Sequence, residues 1–317
     1  MGFGKRTVFL LFTVLFCVSG SAYATERLSL ATGGTAGSYY PIGSGIASIV
    51  MKNVPGIEIT AESTGASVAN LKMLREKKVE LILGASNTSW GAYKGEPPFN
   101  DKPVTNIRGI ACLYPEIFQF IVLKNSGMQS IPDLKGKKIA VGAPGSGTER
   151  TAKMVLEAHG LTYNDVEEQF LNFGEAVTAL KDRLIDCAIV GSGIPTSAVV
   201  DISTTLDIGL LKVDETVTKS FLKGVPYLSW IEIPADTYRG VTTGILTVAS
   251  PAILSAEAGL GEATVYKITK AVFEHLGDLA AVHAQGKMIT LKTALSAMSV
   301  PLHPGAEKYY REVGVLK

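Results

Sequence analysis

The sequence predicts an α/β protein of two lobes, each a mainly parallel sheet with helices packed on its faces. Three observations predict it. Short apolar strands alternate with amphipathic helices along most of the chain, the pattern of parallel sheets covered by helices. The chain of 317 residues is long enough for two domains with separate cores. Five times, a strand ends in glycine and hydroxyl residues just before a helix begins.

Leu28–Ala31 reads as the first strand, and Ile42, Ile46, Ile49 and Val50 mark one face of the helix after it. Ile57–Ala61 is the second strand, followed by a helix carrying Val68, Leu71 and Leu74; Leu81–Leu83 is the third. After the apolar stretch Cys112–Lys124 the alternation resumes with Lys138–Val141. Ala152, Val155, Leu156 and His159 then line a helix that Gly160 stops. Asp186–Val190 and Ile208–Val213 are further strands, and Val265, Ile268, Val272, Leu276 and Leu279 predict one long helix.

Ahead of these elements the chain carries an export signal. Lys5 and Arg6 precede the apolar run Thr7–Val18, and Ala22-Tyr23-Ala24 supplies the small-x-small cleavage pattern. The run is far shorter than the ~20 apolar residues of a membrane span. Cleavage after Ala24 and a periplasmic mature chain with no direct membrane insertion are therefore expected. Cys112 and Cys187 remain in it. Pairing is open in an oxidising compartment, but Cys187 lies in an apolar run and reads as a core residue. With 30 basic against 29 acidic residues and no basic stripe, nucleic acid is a poor partner.

The five junctions are Thr32–Ser38, Glu62–Ser67, Gly84–Ser89, Gly142–Thr148 and Gly191–Thr196. In open α/β sheets ligands bind beyond the carboxyl ends of the strands. A helix amino terminus there offers unpaired N–H groups and partial positive charge, which suit an anion. Each junction alone is explained by ordinary capping and turn chemistry; their recurrence in both halves points to a binding cleft. Signatures of catalysis are missing: no G-x-S-x-G, no Walker A motif, no H-E-x-x-H, no C-x-x-C, and no third glycine after Gly145-Ser146-Gly147 for a dinucleotide. His159, His275, His283 and His303 show no metal-ligand spacing, so neither a metal nor a cofactor is expected.

Ala31–Pro41, Glu62–Ser67 with Asn70-Leu71, Leu113–Glu116, Asp133–Lys138, Val141–Thr148 and Pro301–Glu307 with Tyr309-Tyr310 together resemble the TRAP-associated extracytoplasmic immunogenic (TAXI) proteins. These are solute receptors of tripartite ATP-independent periplasmic (TRAP) transporters. The resemblance implies a type II periplasmic-binding fold, with two α/β lobes joined by a two-segment hinge around a central cleft. It implies a small organic anion as ligand (a dicarboxylate, a 2-oxo acid or a glutamate-like solute), and TRAP membrane subunits as partner. A monomeric receptor is expected. The readings it competes with are a secreted hydrolase using a junction serine and a periplasmic ligand sensor.

By the same resemblance the ligand contacts are Gly34, Thr35, Tyr39, Tyr40, Ser63, Ser67, Ser86 and Asn87 on the first lobe. On the second they are Gly145, Ser146, Gly147 and Thr148. Only one of Tyr39 and Tyr40 is expected to face the cleft. Many relatives carry Gln-Ser-Asp where this chain has Ala85-Ser86-Asn87. Either the lost acid disfavours an ammonium-bearing ligand, or Asn87 caps a helix as well as Asp does. Lobe 1 is placed at 25–114 plus 240–317 and lobe 2 at 115–239. The chain crosses near Leu113–Phe118, and again between Trp230–Pro234 and Gly244–Val248.

Overall fold

A computed structural model describes residues 1–2, 25–223 and 227–317, so the expected signal segment lies almost wholly outside the described residues. The chain first builds β1 (Glu26–Ala31), α1 (Tyr39–Asn53), β2 (Ile57–Glu62), α2 (Ser67–Arg75), β3 (Leu81–Ala85) and α3 (Ser86–Lys94). The long strand β4 (Ile107–Leu123) carries it into the second lobe. That lobe holds β5 (Lys138–Ala140), α4 (Gly147–Ala158), β6 (Glu167–Gln169), α5 (Phe173–Lys181) and β7 (Cys187–Ser192). It continues through α6 (Ser197–Thr205), β8 (Ile208–Leu210), α7 (Glu215–Leu222) and β9 (Ser229–Ile233). A second long strand, β10 (Ile245–Glu257), returns the chain to α8 (Glu262–Glu274), α9 (Leu276–Val282) and α10 (Pro304–Glu312).

The strands form one continuous sheet in the order β2-β1-β3-β10-β4-β7-β5-β6, with β8 added on β4 and β9 on β10. Within each lobe the outer pairs are parallel: β1 with β2 and β3, β5 with β6 and β7. The crossing strands β4 and β10 are antiparallel to their neighbours and to each other. The architecture is the two-lobed α/β arrangement that the alternation predicts and the type II periplasmic-binding fold that the resemblance implies.

The hinge is built into those two strands. One half of β4, from Ile107 to Cys112, pairs with the lobe 1 half of β10, while Ile117–Val122 pairs with β7. Where the lobes meet, Pro115 lies opposite Pro251, and the register slips between Pro251 and Ile253. Neither proline donates to the ladder, so the sheet is most weakly tied at the point where lobes must turn.

Two expectations are corrected. Residues 240–248 belong to lobe 2: Val241 and Ala249 pack in the same cluster as Ile117, Val190 and Ile202, and Val248 packs with Phe118 and Val155. The boundary was set too early because β9 and the first half of β10 pair as an antiparallel ribbon, which reads as a crossing but stays in one lobe. The long C-terminal helix is two. It breaks at His275, whose backbone N–H reaches only to Val272 O (3.3 Å) and whose φ is −126°, while its ring nitrogen Nδ1 lies 2.9 Å from Ala271 O. The apolar spacing is the same across a break that preserves the buried face, so periodicity alone does not reveal it.

Cys112 packs in a lobe 1 cluster and Cys187 in a lobe 2 cluster; both are buried free thiols. Burial pushes the Cys112 thiol up to about 11. Among the described residues no helix is long and apolar enough to cross a membrane.

The C-terminal helices seal lobe 1. Tyr309 and Tyr310 are buried beside Phe273, and the Tyr310 hydroxyl donates to Ile110 O at 2.8 Å. Helix α10 can approach α8 because residue 305 has no side chain. A Cβ there would lie 2.2 Å from Glu262 O and 2.6 Å from Tyr266 N. Gly305→Ala is therefore expected to destabilise lobe 1 by about 1–3 kcal/mol, as overpacking against rigid backbone does. Thermal unfolding checks this, and an unchanged midpoint would contradict the packing described.

Candidate functional site

The junction loops converge on a cavity of about 250 Å³ between the lobes. Its lobe 1 wall is the Gly33–Tyr39 turn, the Ser63–Ser67 turn and Ala85. Its lobe 2 wall is Ala143, Ser146–Thr148, Asn172–Gly174, Gly191 and Ser192. Glu116 and Phe118, on the crossing strand β4, complete it. The volume lies just below the roughly 300 Å³ at which typical small-molecule sites begin, which fits a small metabolite.

Each loop is held by a side chain that leaves backbone groups free for the cavity. Asn70 is buried and donates to Ala31 O (3.2 Å), Thr32 O (2.6 Å) and Leu83 O (2.8 Å), tying the ends of β1 and β3 together. Its carbonyl accepts from Thr64 Oγ1 at 2.6 Å, which anchors the second turn, and Ser63 Oγ donates to Gly33 O at 3.1 Å. Ser67 begins α2 and accepts from Ala85 N–H at 3.0 Å. Just before it, Ala66 is bent to φ 67° and ψ −149°, a backbone region nearly reserved for glycine. In lobe 2, Gly142 (φ 112°) and Gly145 (φ 72°) turn the chain so that Ser146 Oγ accepts from Glu149 N–H at 3.0 Å. That cap leaves the leading N–H groups of α4 without intrahelical partners.

Eight of the twelve expected contacts, Gly34, Thr35, Tyr39, Ser63, Ser67, Ser146, Gly147 and Thr148, line this cavity. Four do not. Tyr39 and Tyr40 are adjacent on α1, where consecutive residues point about 100° apart; Tyr39 takes the cavity and Tyr40 lies outside it. Gly145 serves through its backbone, its carbonyl accepting from Ala69 N–H across the cleft at 3.0 Å. Ser86 and Asn87 are buried behind the wall because β3 runs to Ala85 and α3 starts at once. Ser86 Oγ donates to Ala297 O at 2.6 Å, and the Asn87 side chain bonds Thr151 Oγ1 (3.1 Å) and Ser250 Oγ (2.9 Å). Its amide is committed to that seam.

Sequence reasoning missed Glu116, Phe118 and the Asn172–Gly174 turn as lining residues. In the sequence Glu116 stands out only as the last residue of the Leu113–Glu116 motif. Asn172 follows the short strand β6 with a capping box, Asn172 and Glu175 each accepting from the other's backbone N–H (3.1 and 2.9 Å), and N-x-x-E is the readable signal.

The lobes touch directly around the cavity. Ser38 Oγ and Ser192 Oγ lie 2.5 Å apart, and Gly193 N–H donates to Ser38 Oγ at 2.9 Å. Ser197 Oγ donates to Ala36 O at 2.9 Å. On the other side of the cleft Arg150 pairs with Glu96 at 2.8 Å. The guanidinium is 12 % exposed and Glu96 45 %, so this pair bridges the two lobes without being sealed from water. Arg150→Ala is expected to weaken ligand binding by roughly three- to tenfold with little change in unfolding temperature. Calorimetric titration of the variant reads it; an unchanged affinity would mean the pair plays no part in closure.

All four histidines have structural work away from the cavity. His159 and His275 end helices with Nδ1 on Val155 O and Ala271 O, while His283 and His303 accept from Gln285 N–H and Gly305 N–H. None lines the cavity. Among the described residues no cluster of His, Cys, Asp or Glu is arranged to hold a metal.

A protein of Bordetella bronchiseptica RB50 has a similar structure, at 18 % identity over 91 % of this chain and 98 % of that one, with a TM-score of 0.59. A putative L-cystine ABC transporter protein from Listeria monocytogenes follows the same course at 14 % identity, covering 84 % and 98 %, with a TM-score of 0.52. The alkanesulfonate-binding protein of Xanthomonas axonopodis pv. citri, bound to MOPS, aligns at 15 % identity over 92 % and 85 %, with a TM-score of 0.50. These likenesses share the fold. The sequence profile of the NMT1-like family matches residues 30–314, and the chain belongs to that family.

Proposed function

We propose that the chain is an exported solute-binding protein that captures a small organic anion between its lobes and delivers it to a membrane transporter. The observation that carries this is the wall itself: helices α1, α2, α4 and α5 all begin at the cavity, from both lobes, the first three at glycine and hydroxyl residues and α5 at Asn172-Phe173-Gly174. Unpaired N–H groups and partial positive charge converge there, which favours a carboxylate or similar anion. Closing the lobes excludes water and strengthens each of those contacts. Similar folds described as binding an alkanesulfonate or belonging to an L-cystine transporter support the receptor reading. The TAXI-like motifs support delivery to TRAP membrane subunits.

Binding without turnover is favoured over hydrolysis. Ser146, the serine best placed in a strand–helix loop, spends its hydroxyl as a helix cap, and no histidine stands beside it. The test is calorimetric titration of the mature protein with dicarboxylates, 2-oxo acids, amino acids and their uncharged amides. Binding of one carboxylate series, with its amide inactive, is the expected result. No binding by any carboxylate, or turnover of an ester that Ser146→Ala removes, would sink the proposal. Uptake by vesicles carrying TRAP subunits, dependent on the bound receptor, checks the partner.

A further inference from the structure

The junctions give the cavity hydroxyls and amides, but its formal charge comes from one residue. Among the described residues that line it, Glu116 is the sole carboxylate and none is Lys, Arg or His. The side chain is buried, 8 % exposed, on the hinge strand β4. Its Oε2 accepts from the Tyr39 hydroxyl at 2.6 Å, and among the described residues this is the hydrogen bond the carboxyl makes. The titratable groups facing it are two phenols, Tyr39 from α1 and Tyr114 from its own strand. Burial holds both well above the usual phenol range, so neither carries a charge. Among the described residues no Lys, Arg or His lines the cavity to compensate the carboxylate, and burial pushes Glu116 up to about 8.

A buried acid without a counter-charge is costly to ionise and is kept only where something repays it. The hydrogen bond from Tyr39 already orients the carboxyl as an acceptor. What it lacks is a positive donor from the cavity side. We propose that Glu116, positioned by Tyr39, is the subsite for an ammonium group, so that the preferred solute is zwitterionic. Its carboxylate takes the helix amino termini and its ammonium takes Glu116, an α-amino acid being the simplest such molecule. This rests on the carboxylate reading above and narrows it. On binding, the Glu116 proton leaves to solvent and the carboxylate pairs with the ligand cation.

The competing use of the same group is as a neutral acid, donating its proton to an oxygen of a ligand without an ammonium. The two uses differ in the sign of proton exchange. Wild-type protein and Glu116→Gln are titrated near neutral pH with L-glutamate and 2-oxoglutarate, and with L-leucine and 4-methyl-2-oxopentanoate. Two buffers of different ionisation enthalpy count the protons. The expected result is that an amino acid binds at least about tenfold more tightly than its oxo twin and releases protons from the wild type. Glu116→Gln then loses roughly 30-fold or more for the amino acid, loses the release, and changes the oxo acid by less than about threefold. An oxo acid that binds equally or better, or takes up a proton, overturns the ammonium subsite and leaves the carboxylate reading standing. Unchanged amino-acid affinity in Glu116→Gln overturns it as well. If neither series binds, the carboxylate reading fails and takes this proposal with it. The proton count on the wild type needs no variant, so a folding defect in Glu116→Gln leaves the test intact.

Discussion

Gly147→Val is expected to reduce ligand affinity by about a hundredfold or more while leaving both lobes folded. Gly147 opens α4 on lobe 2, and in the closed arrangement it meets Ser67, which opens α2 on lobe 1. A Cβ at 147 would lie 2.7 Å from Ser67 Oγ, 3.0 Å from Ser67 Cβ and 3.2 Å from Thr88 Oγ1, all of them across the cleft. Ser67 has little room to yield, because its hydroxyl is fixed by Ala85 N–H. The branched side chain therefore wedges the lobes apart. The three atoms nearest that position all belong to lobe 1 and none to the lobe that carries Gly147, so the unfolding temperature should shift little. The hundredfold figure corresponds to about 2.7 kcal/mol, within reach of one overpacked contact. Calorimetry gives the affinity, and small-angle scattering with ligand present gives the shape. The variant should stay at the extended dimensions of the open form. Wild-type affinity in Gly147→Val would show that the lobes do not close as described.

The second large effect concerns pH. Glu116 sits at about 8 in the folded chain against 4.5 for the free side chain, because burial disfavours its charged form. The native state thus keeps a proton that the unfolded chain has released. Stability from this group is fully present below about pH 4.5 and is lost as pH rises toward 8. The loss is on the order of a few kcal/mol. His283 and His303 act in the opposite sense: burial lowers both below the usual histidine value, so their contribution is lost as pH falls. Comparison with Glu116→Gln isolates the carboxyl. The ligand-free variant should gain on the wild type by a few kcal/mol between pH ~5 and ~8.5, read from denaturant unfolding at each pH. A difference that is flat with pH would mean the carboxyl is solvated, not buried. In the proposed binding role, Glu116 would lower apo stability at neutral pH in exchange for ligand recognition, a common condition of functional sites.

Much of the fold was legible because local and global signals agree. Leu28–Ala31, Ile57–Ala61 and Leu81–Leu83 are short apolar or alternating segments with a glycine close to one end, and each is a strand within a residue or two of its expected ends. Two-lobe organisation followed from length and alternation. The hinge was harder. Trp230–Pro234 and Gly244–Val248 look alike as extended segments, and only pairing decides that both stay in lobe 2 before β10 crosses. The site divides along the same line. Residues at helix amino termini were readable, since a strand–glycine–hydroxyl–helix sequence says where the chain stops and turns. Ser86 and Asn87 obey that rule and still miss the cavity, because β3 runs two residues further, to Ala85, and their side chains fall in the seam with Ser250 and Ala297. Glu116 belongs to the Leu113–Glu116 motif but follows no glycine–hydroxyl junction and opens no helix. It sits mid-strand, and its place on the cavity depends on β4 running between the lobes with Tyr39 brought to it from residues far earlier in the chain.

The most direct measurement is a diffraction structure of the mature protein with the small molecule that co-purifies with it, or with L-glutamate and 2-oxoglutarate supplied in turn. The account predicts density between the lobes, with a carboxylate on the backbone N–H groups at Ser146–Thr148 or the Gly33–Ser38 turn. An ammonium should then lie within hydrogen-bonding distance of Glu116. A ligand bound elsewhere on the molecule, or lobes that remain apart around an empty cavity with either compound present, would contradict it.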